Sequence, residues 1–327
     1  MSVMPKLLRL GISVLVLFVV FSGIAMAEYP EKPITLYCSF SPGGTGDTSI
    51  RVLAADMEKT LGQRVLIVTK AGGSGTVGLA LLANDKPDGY TVSMATTSGL
   101  MRIPLTMKVP YKPLVDFTCI YGYTMVASGT LVRPDSPFKT VKDFIEYARK
   151  NPGKVSFSSL GVGSPMHLIM EQMAMKENIK LVHVPYKGTA PSETACLGGH
   201  VDAVSAGDVH RALDGQLRAI LMHTKDRFER LPDVPTTMEM GYGYYNDTVL
   251  GVFGPAGMDP AVVKKLEDAF DKAQETPAWK AWLEQFGTVN VKMRSAEFTK
   301  FIEEAWDREV KIQRGLGIIT EPATQPR

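Results

Sequence analysis

Residues 40–47 read FSPGGTGD and link the apolar run ITLYCSF to TSIRVLAADMEKTLG, a run with helical periodicity. Three glycines and a proline therefore stand where a strand gives way to a helix. Glycine permits positive φ and leaves backbone amides uncovered, and a helix start adds unpaired N–H groups and a partial positive charge. This stretch therefore predicts an α/β unit with an anion-binding turn.

The rest of the chain alternates between strand-like and helix-like segments in two series. The first contains Ile34–Phe40, Thr48–Leu61, Val65–Thr69, Val77–Ala83 and Tyr90–Ala95. The second begins near Leu131 and contains Val141–Lys150, Val155–Ser159, Pro165–Lys176, Leu181–Val184, Pro191–Leu197 and Ala203–Ala206. The alternation predicts two α/β units with parallel strands. After Val249–Phe253 we expect only amphipathic helices that pack back across the first unit, at Pro260–Glu275, Pro277–Phe286 and Ser295–Gly315.

The first 27 residues have the pattern of a secretory signal peptide. Lys6 and Arg9 give a basic start, residues 10–24 are largely apolar, and Ala25-Met26-Ala27 is a small-x-small cleavage signal. A membrane span needs about 20 apolar residues, so an uncleaved anchor is the weaker interpretation. We expect cleavage after Ala27 and a soluble, exported mature protein.

Charge and cysteine content bear on partners and on redox chemistry. Removal of residues 1–27 takes away two positive charges and changes the formal net charge from +2 to 0. We expect no nucleic-acid partner, because such partners are bound by basic faces. Cys38, Cys119 and Cys196 lie in apolar contexts, and buried free thiols are favoured over a disulfide.

A second strand–loop–helix passage, VSFSSLGVGSPMHLIMEQMA at residues 155–174, repeats the composition of the first. Its small residues at the strand end and helix start are Ser158, Ser159, Gly161, Gly163 and Ser164. Ligands of open α/β sheets bind outside the carboxyl ends of the strands. Two such loops that face each other would therefore hold a ligand with an acidic group at each end.

Together these motifs resemble the substrate-binding receptors of tripartite tricarboxylate transporters, also called Bug receptors. The similarity runs in order through YPEKPITLYCSFSPGGTGD, LGQRVLIVTKAGGSGTVG, PDGYTV, YKPLVDF, NPGKVSFSSLGVGSPMHL, VHVPYKG, LGGHVDA, LPDVPTTMEMG and GVFGPAG. It covers essentially the whole mature chain. The resemblance implies a two-lobed periplasmic binding protein fold, type II-like, with two mixed α/β sheets flanked by helices and a cleft between the lobes.

The resemblance also implies how the chain is divided. We expect a signal peptide at 1–27, lobe 1 at 28–127 and 249–327, and lobe 2 at 128–248. Hinges are expected near Val126–Gly129 and Thr248–Gly251, where the chain crosses between the two series.

Water-assisted hydrogen bonds from both loops grip a carboxylate in this family. The resemblance assigns this role to Pro42, Gly43, Gly44 and Asp47 in the first loop, and to Ser158, Ser159, Gly163 and Ser164 in the second. Ser41 and Thr45-Gly46 depart from the residues usual in the first loop. The stretch 202–219 is shorter than its usual counterpart, so the resemblance does not match Asp208 to the acidic residue that meets amino groups in some relatives. Asp208 stays a candidate contact, and an amino-acid ligand is left in doubt.

Other polar residues at the same sheet edges are candidate contacts. Thr97 and Ser98 close the strand YTVSMATT, and Thr189 follows VPYKG, although a plain loop explains Thr97 and Ser98 equally well. Lys187 could pair with a carboxylate or be an exposed turn residue. Asp47 would repel a carboxylate, so we assign it to helix capping and to fixing the loop, and Thr45 and the loop amides are the better contacts. Ser41 is a further candidate contact.

Residues 73–78, GSGTVG, fit the G-x-G-x-x-G pattern of dinucleotide sites. The next strand ends in VSMATTSG, without the acidic residue that would bind a ribose. We expect no nucleotide cofactor here, and we interpret the glycines as allowing a close turn and close helix packing.

The motifs of common enzymes are missing. The five histidines lack zinc-site spacing, and the chain has neither a G-x-S-x-G elbow nor a P-loop. We predict a monomeric periplasmic receptor without a metal or cofactor. It would bind a small carboxylate of the di- or tricarboxylate class and deliver it to the integral-membrane permease of a tripartite transporter. The alternatives are an exported hydrolase or isomerase that uses the same cleft, and a ligand-sensing subunit of a signalling system.

Overall fold

A computed structural model describes residues 29–315 and residue 319. The predicted signal peptide lies outside these residues. Two mixed sheets flanked by helices form the structure, which confirms the α/β fold class predicted from the sequence. Within residues 29–315, no helix combines the length and the apolar character needed to cross a bilayer.

The first sheet has six strands. They are β1 (Ile34–Cys38), β2 (Val65–Thr69), β3 (Thr91–Thr96), β4 (Phe117–Met125), β10 (Val249–Pro255) and β11 (Val289–Arg294). Their spatial order is β11-β4-β10-β3-β1-β2. Strand β1 is parallel to β2 and β3, and β10 is antiparallel to β3 and β4.

The second sheet has five strands. They are β5 (Gly129–Val132), β6 (Val155–Ser159), β7 (Leu181–Pro185), β8 (Ala203–Ala206) and β9 (Arg218–Met222). Their spatial order is β7-β6-β8-β5-β9, with β6 parallel to β7 and β8 and with β5 antiparallel to both of its neighbours.

Ten helices cover the two sheets within the described residues. They are α1 (Thr45–Leu61), α2 (Thr76–Leu82), α3 (Ile103–Thr106), α4 (Val141–Lys150), α5 (Pro165–Glu177), α6 (Thr189–Leu197), α7 (His210–Leu213), α8 (Pro260–Gln274), α9 (Pro277–Phe286) and α10 (Ser295–Gly315). Helix α1 buries Ile50, Leu53 and Met57, whose i, i+3, i+7 spacing places them on one face.

The expectation that only helices follow residue 253 is wrong. Strand β11 pairs antiparallel with β4 at the edge of the first sheet, and its register shifts between Asn290 and Met293. The strand is exposed or only half-buried along its length. Its sequence, VNVKMR, therefore lacks the apolar run that marks a buried strand.

The two sheets are joined by crossovers that lie side by side. The amide of Val126, just after β4, donates to the carbonyl of Thr248, just before β10, at 3.3 Å. Arg102, only 2 % exposed, donates to Thr248 Oγ1 at 2.9 Å and to Glu309 at 2.8 Å, and it also pairs with Asp247. A buried guanidinium thus fixes the second crossover to the first sheet.

Candidate functional site

A cavity lies between the two sheets, where the two glycine-rich loops face each other. It has about 570 Å³ of empty space, counted out to its open mouth. Six of the predicted contacts line it: Ser41, Gly44, Thr45, Ser98, Ser164 and Thr189.

The first loop leaves the start of α1 open toward the cavity. Gly44 is the N-cap residue of α1, and it has no side chain to accept a hydrogen bond from the first-turn amides. Asp47 lies inside the first turn, and it accepts from the amide of Gly43 at 3.0 Å and from Arg51 Nε at 2.9 Å. Asp47 therefore fixes the loop as expected, but the helix cap is Gly44.

Ser98 places a hydroxyl without a partner in the same cavity. It is 3 % exposed, and its Oγ has no hydrogen-bond partner in the structure. A buried polar atom of this kind is rare, because burial without a hydrogen bond costs free energy. The Ser98 hydroxyl is therefore suited to meeting a polar group of a bound molecule.

The second loop is also rich in small residues, but its serine hydroxyls already have hydrogen-bond partners. The Ser164 hydroxyl accepts from the amide of His167 at 3.3 Å and donates to the carbonyl of Gly161 at 2.7 Å. Ser158 Oγ donates to the carbonyl of Ser192 at 2.9 Å, and Ser159 Oγ is hydrogen-bonded to His183 Nε2 at 2.7 Å. Of the four residues predicted as contacts here, only Ser164 lines the cavity.

A second glycine-capped helix faces the first loop from lobe 2. The N-cap of α6 is Gly188, which again provides no side-chain cap. A Cβ placed on Gly44 would lie 3.5 Å from the amide nitrogen of Ala190 and 3.7 Å from Thr189 Cβ. The uncapped starts of α1 and α6 therefore converge from opposite sides of the cleft.

Polar bonds already join the two sheets across this cleft. Ser41 Oγ donates to the carbonyl of Lys187 at 2.8 Å, and the Lys187 side chain is exposed. Thr45 Oγ1 donates to Asp208. The hydroxyl proton of Thr45 is therefore committed to Asp208, which corrects the expectation that this hydroxyl is a preferred donor to the ligand.

Asp208 belongs to a buried cluster that sequence spacing did not predict. Oxygen or nitrogen atoms of Glu193, Asp208 and His210 lie within 4.8 Å of one another. His210 Nδ1 is hydrogen-bonded to Asp208, and Arg211 Nε lies 3.4 Å from Glu193. Burial, followed by the nearby charge of Asp208, raises the pKa of Glu193 well above its usual range. Asp208 itself does not line the cavity, and its contacts hold Thr45.

The remaining predicted contacts lie outside the cavity lining. Thr97 Oγ1 accepts from the amide of Val249 at 3.1 Å, so Thr97 helps to fix β10. Pro42 and Gly43 are exposed.

Most residues of the cavity walls were not predicted from the sequence. They include the apolar side chains of Phe40, Val126, Leu160, Pro165, Met166 and Leu250. Phe40, Leu160, Pro165 and Met166 stand within or directly beside the two predicted loops, which could have indicated them. Thr96, Thr248 and Gly207 also line the cavity.

The stretch at residues 73–78 has the structural role expected for it. Gly73–Gly75 form a single 3-10 turn, and Gly75 has a φ of +98°. A Cβ on Gly78 would lie 2.2 Å from Ser39 Oγ, so the short helix α2 packs closely against the end of β1.

The three cysteines are buried and free, and burial raises the pKa of Cys38 to about 11.

Two α/β lobes with a cavity between loops at their strand ends define a bilobal solute-binding protein. Comparison with known proteins gives the family. Residues 49–318 match the tripartite tricarboxylate transporter family receptor model. The chain belongs to this family, and it is a periplasmic solute-binding receptor of the Bug type.

A curated relative and a solved structure are each similar to this chain over most of its length. The chain is 35 % identical over 293 residues to a Cupriavidus necator protein of the gbd 5′ region, with 89 % of each chain covered. A solved periplasmic transporter structure is similar at a TM-score of 0.83 and 32 % identity, covering 89 % of this chain and 99 % of that one.

Two further similar structures contain bound acids. MatC from Rhodopseudomonas palustris with bound malate has a TM-score of 0.80 and 26 % identity, covering 87 % of this chain and 99 % of MatC. R. palustris Rpa4515 with adipate has a TM-score of 0.79 and 25 % identity, covering 89 % and 99 %.

Proposed function

We propose that this receptor captures a small carboxylate in the cavity between its lobes and delivers it to the membrane permease of a tripartite transporter. The carboxylate group lies at the uncapped start of α1, where it accepts from first-turn amides and from Ser98 Oγ. No covalent bond is made or broken.

The unpartnered hydroxyl of Ser98 carries this proposal. A helix start attracts anions through its free N–H groups and its dipole. Ser98 supplies a buried donor in the same cavity, and a carboxylate would satisfy it. Similar proteins hold malate and adipate, which are both carboxylates.

Capture depends on closure of the lobes in this proposal. Lobe 1 comprises residues 28–127 and 249–327, lobe 2 comprises 128–248, and the hinges lie near Val126–Gly129 and Thr248–Gly251. The bonds from Ser41 and Thr45 to lobe 2 hold the closed form.

Binding is tested by thermal unfolding of residues 28–327 with a panel of carboxylates and their uncharged amides. Ligand at about 100 times its dissociation constant adds about 2.7 kcal/mol to the free energy of unfolding. We expect at least one carboxylate to raise the melting temperature and its amide to have no effect. Stabilisation by the uncharged compounds alone would contradict the proposal.

Delivery is tested with the permease reconstituted in vesicles. The labelled carboxylate should accumulate in the vesicles only when the receptor is present on the outside. The receptor should act as a monomer, so light scattering should give the mass of one receptor chain. Binding without receptor-dependent uptake would instead favour a sensing role.

A further inference from the structure

We propose that the cavity selects carboxylates with a single acidic group and an apolar body, an inference that rests on the function proposed above. It narrows the di- or tricarboxylate class that the sequence predicts. It also separates this chain from the similar receptors that hold malate and adipate.

The open hydrogen-bond donors belong to the lobe 1 wall of the cavity and to the start of α6 that faces it. The start of α1 is capped by Gly44 and the start of α6 by Gly188, and neither glycine offers a side-chain acceptor. Gly44 and Ala190 lie close together across the cleft. Ser98 adds its unpartnered Oγ to the cavity lined by Gly44. These donors suit one carboxylate.

The second loop does not offer a matching set of donors. Four of its amides have partners within the loop: Gly161 N with Ser159 Oγ at 3.2 Å, Gly163 N with His167 Nδ1 at 3.1 Å, Ser164 N with the Gly161 carbonyl at 3.3 Å, and His167 N with Ser164 Oγ at 3.3 Å. Pro165, the first residue of α5, has no N–H. The second loop is therefore poorly equipped to hold a second carboxylate.

The wall that the second loop presents to the cavity is apolar. Leu160, Pro165 and Met166 line it, and none of the described residues that line the cavity is charged. A second carboxylate would be buried here without a cation or a set of amides, which is unfavourable. A hydrocarbon chain or a neutral ester would meet the same wall without that cost.

The experiment is calorimetry of residues 28–327 at pH 7 with four compounds that share a six-carbon acid chain: hexanoate, monomethyl adipate, adipate and dimethyl adipate. The set changes the number of carboxylates at nearly constant length. We expect hexanoate and monomethyl adipate to bind at least about tenfold more tightly than adipate, and dimethyl adipate not to bind. Benzoate, terephthalate and the two methyl esters of terephthalate form a second set of wider shape.

A variant pair tests the apolar wall directly. Leu160→Lys places a cation beside the second loop, so it should shift the preference toward adipate by about tenfold or more relative to hexanoate. Leu160→Met keeps the wall apolar and should leave the preference unchanged. Thermal melts of both variants establish that they fold.

The outcomes separate this inference from the proposed function. Tighter binding of the diacid than of its monoester in the parent protein would overturn the single-acid inference and leave carboxylate capture intact. If a diester bound most tightly, both the single-acid inference and the proposed capture of a carboxylate would be wrong. The inference would also be contradicted if no compound of either set bound. The same holds if Leu160→Lys left the preference between hexanoate and adipate unchanged.

Discussion

The two loops that face the cavity are alike in sequence and different in their hydrogen bonding. FSPGGTGD and SSLGVGSP each place small residues between a strand and a helix. In lobe 1 the N-cap is Gly44, and the first-turn amides of α1 receive no side-chain cap. In lobe 2 the N-cap is Ser164, which accepts from His167 within its own helix. The identity of the N-cap residue therefore distinguishes a helix start whose first-turn amides have no side-chain cap from one that is capped.

The largest expected effect is on the open loop. Gly44 has a φ of −83°, which proline can adopt, so Gly44→Pro removes an N–H without forcing the backbone. We expect calorimetry to show a loss of carboxylate affinity of about 100-fold or more. Gly44→Ala is the comparison variant: it keeps the N–H but puts a Cβ 3.5 Å from the amide nitrogen of Ala190, so we expect a smaller loss of affinity than in Gly44→Pro. Equal affinities for the two variants would show that the Gly44 amide is not a contact.

A second substitution turns the open loop into the closed type. In Gly44→Ser the hydroxyl can cap α1, as Ser164 caps α5, since the extended backbone at Gly44 suits an N-cap. We expect a few tenths of a kcal/mol or more of added stability and roughly tenfold weaker carboxylate binding. Denaturant titration and calorimetry measure the two quantities. Unchanged carboxylate affinity in Gly44→Ser would show that the missing cap at Gly44 is not what distinguishes the two loops in binding.

The Ser98 hydroxyl should matter for binding and little for folding. Ser98→Ala removes an atom that has no partner, so the ligand-free stability should stay the same or increase. Carboxylate affinity should fall by about tenfold, the equivalent of one hydrogen bond to a charged group. Ser39→Ala is a matched control, because Ser39 Oγ is also buried and unpartnered but does not line the cavity. Equal losses of affinity in both variants would argue against a ligand contact at Ser98.

His183, on β7 beside the second loop, should make the stability of the protein sensitive to acid. Burial, followed by the nearby charge of His167, lowers the pKa of His183 to about 4. The unfolded chain, with an ordinary histidine pKa of about 6.5, therefore binds more protons between these values, and stability falls as pH drops through this range. The melting temperature should be lower at pH 5 than at pH 7, and His183→Gln should reduce this difference.

Other groups set the size of that pH effect. Glu171 opposes the shift at His183, and burial lowers the pKa of His223 to about 3, so part of the acid sensitivity should survive in His183→Gln. The exposed His200 provides the control variant, His200→Gln. An identical pH dependence of the melting temperature in the parent and in His183→Gln would show that His183 does not contribute to the loss of stability in acid.

The smallest expected effect on binding is at the closed loop. Ser164→Ala removes the cap of α5 and should cost about 1 kcal/mol of stability. Because its hydroxyl is used within the loop, carboxylate affinity should change by less than about twofold. A tenfold loss of affinity would place the second loop on the ligand and restore the symmetrical grip that the sequence predicts.

Much of the fold could be predicted because it follows local patterns. Val141–Lys150, Val155–Ser159 and Ala203–Ala206 have the predicted bounds, since apolar periodicity and capping residues mark them. Helix α1 begins three residues earlier than predicted, because Gly44 serves as its cap and Thr45-Gly46 join the first turn. Strand β11 was missed because an exposed edge strand carries little hydrophobic signal.

The sequence by itself determined the two α/β units, the family and the two glycine-rich loops, because spacing and residue type specify these locally. Only the tertiary structure decided which donors are open. It placed Thr45 against Asp208, left Ser98 without a partner and enclosed the second loop in its own hydrogen bonds. The physical reason is that a hydroxyl or amide binds a ligand only if no nearer group has satisfied it, and such a group can come from a distant part of the chain, as Asp208 does for Thr45.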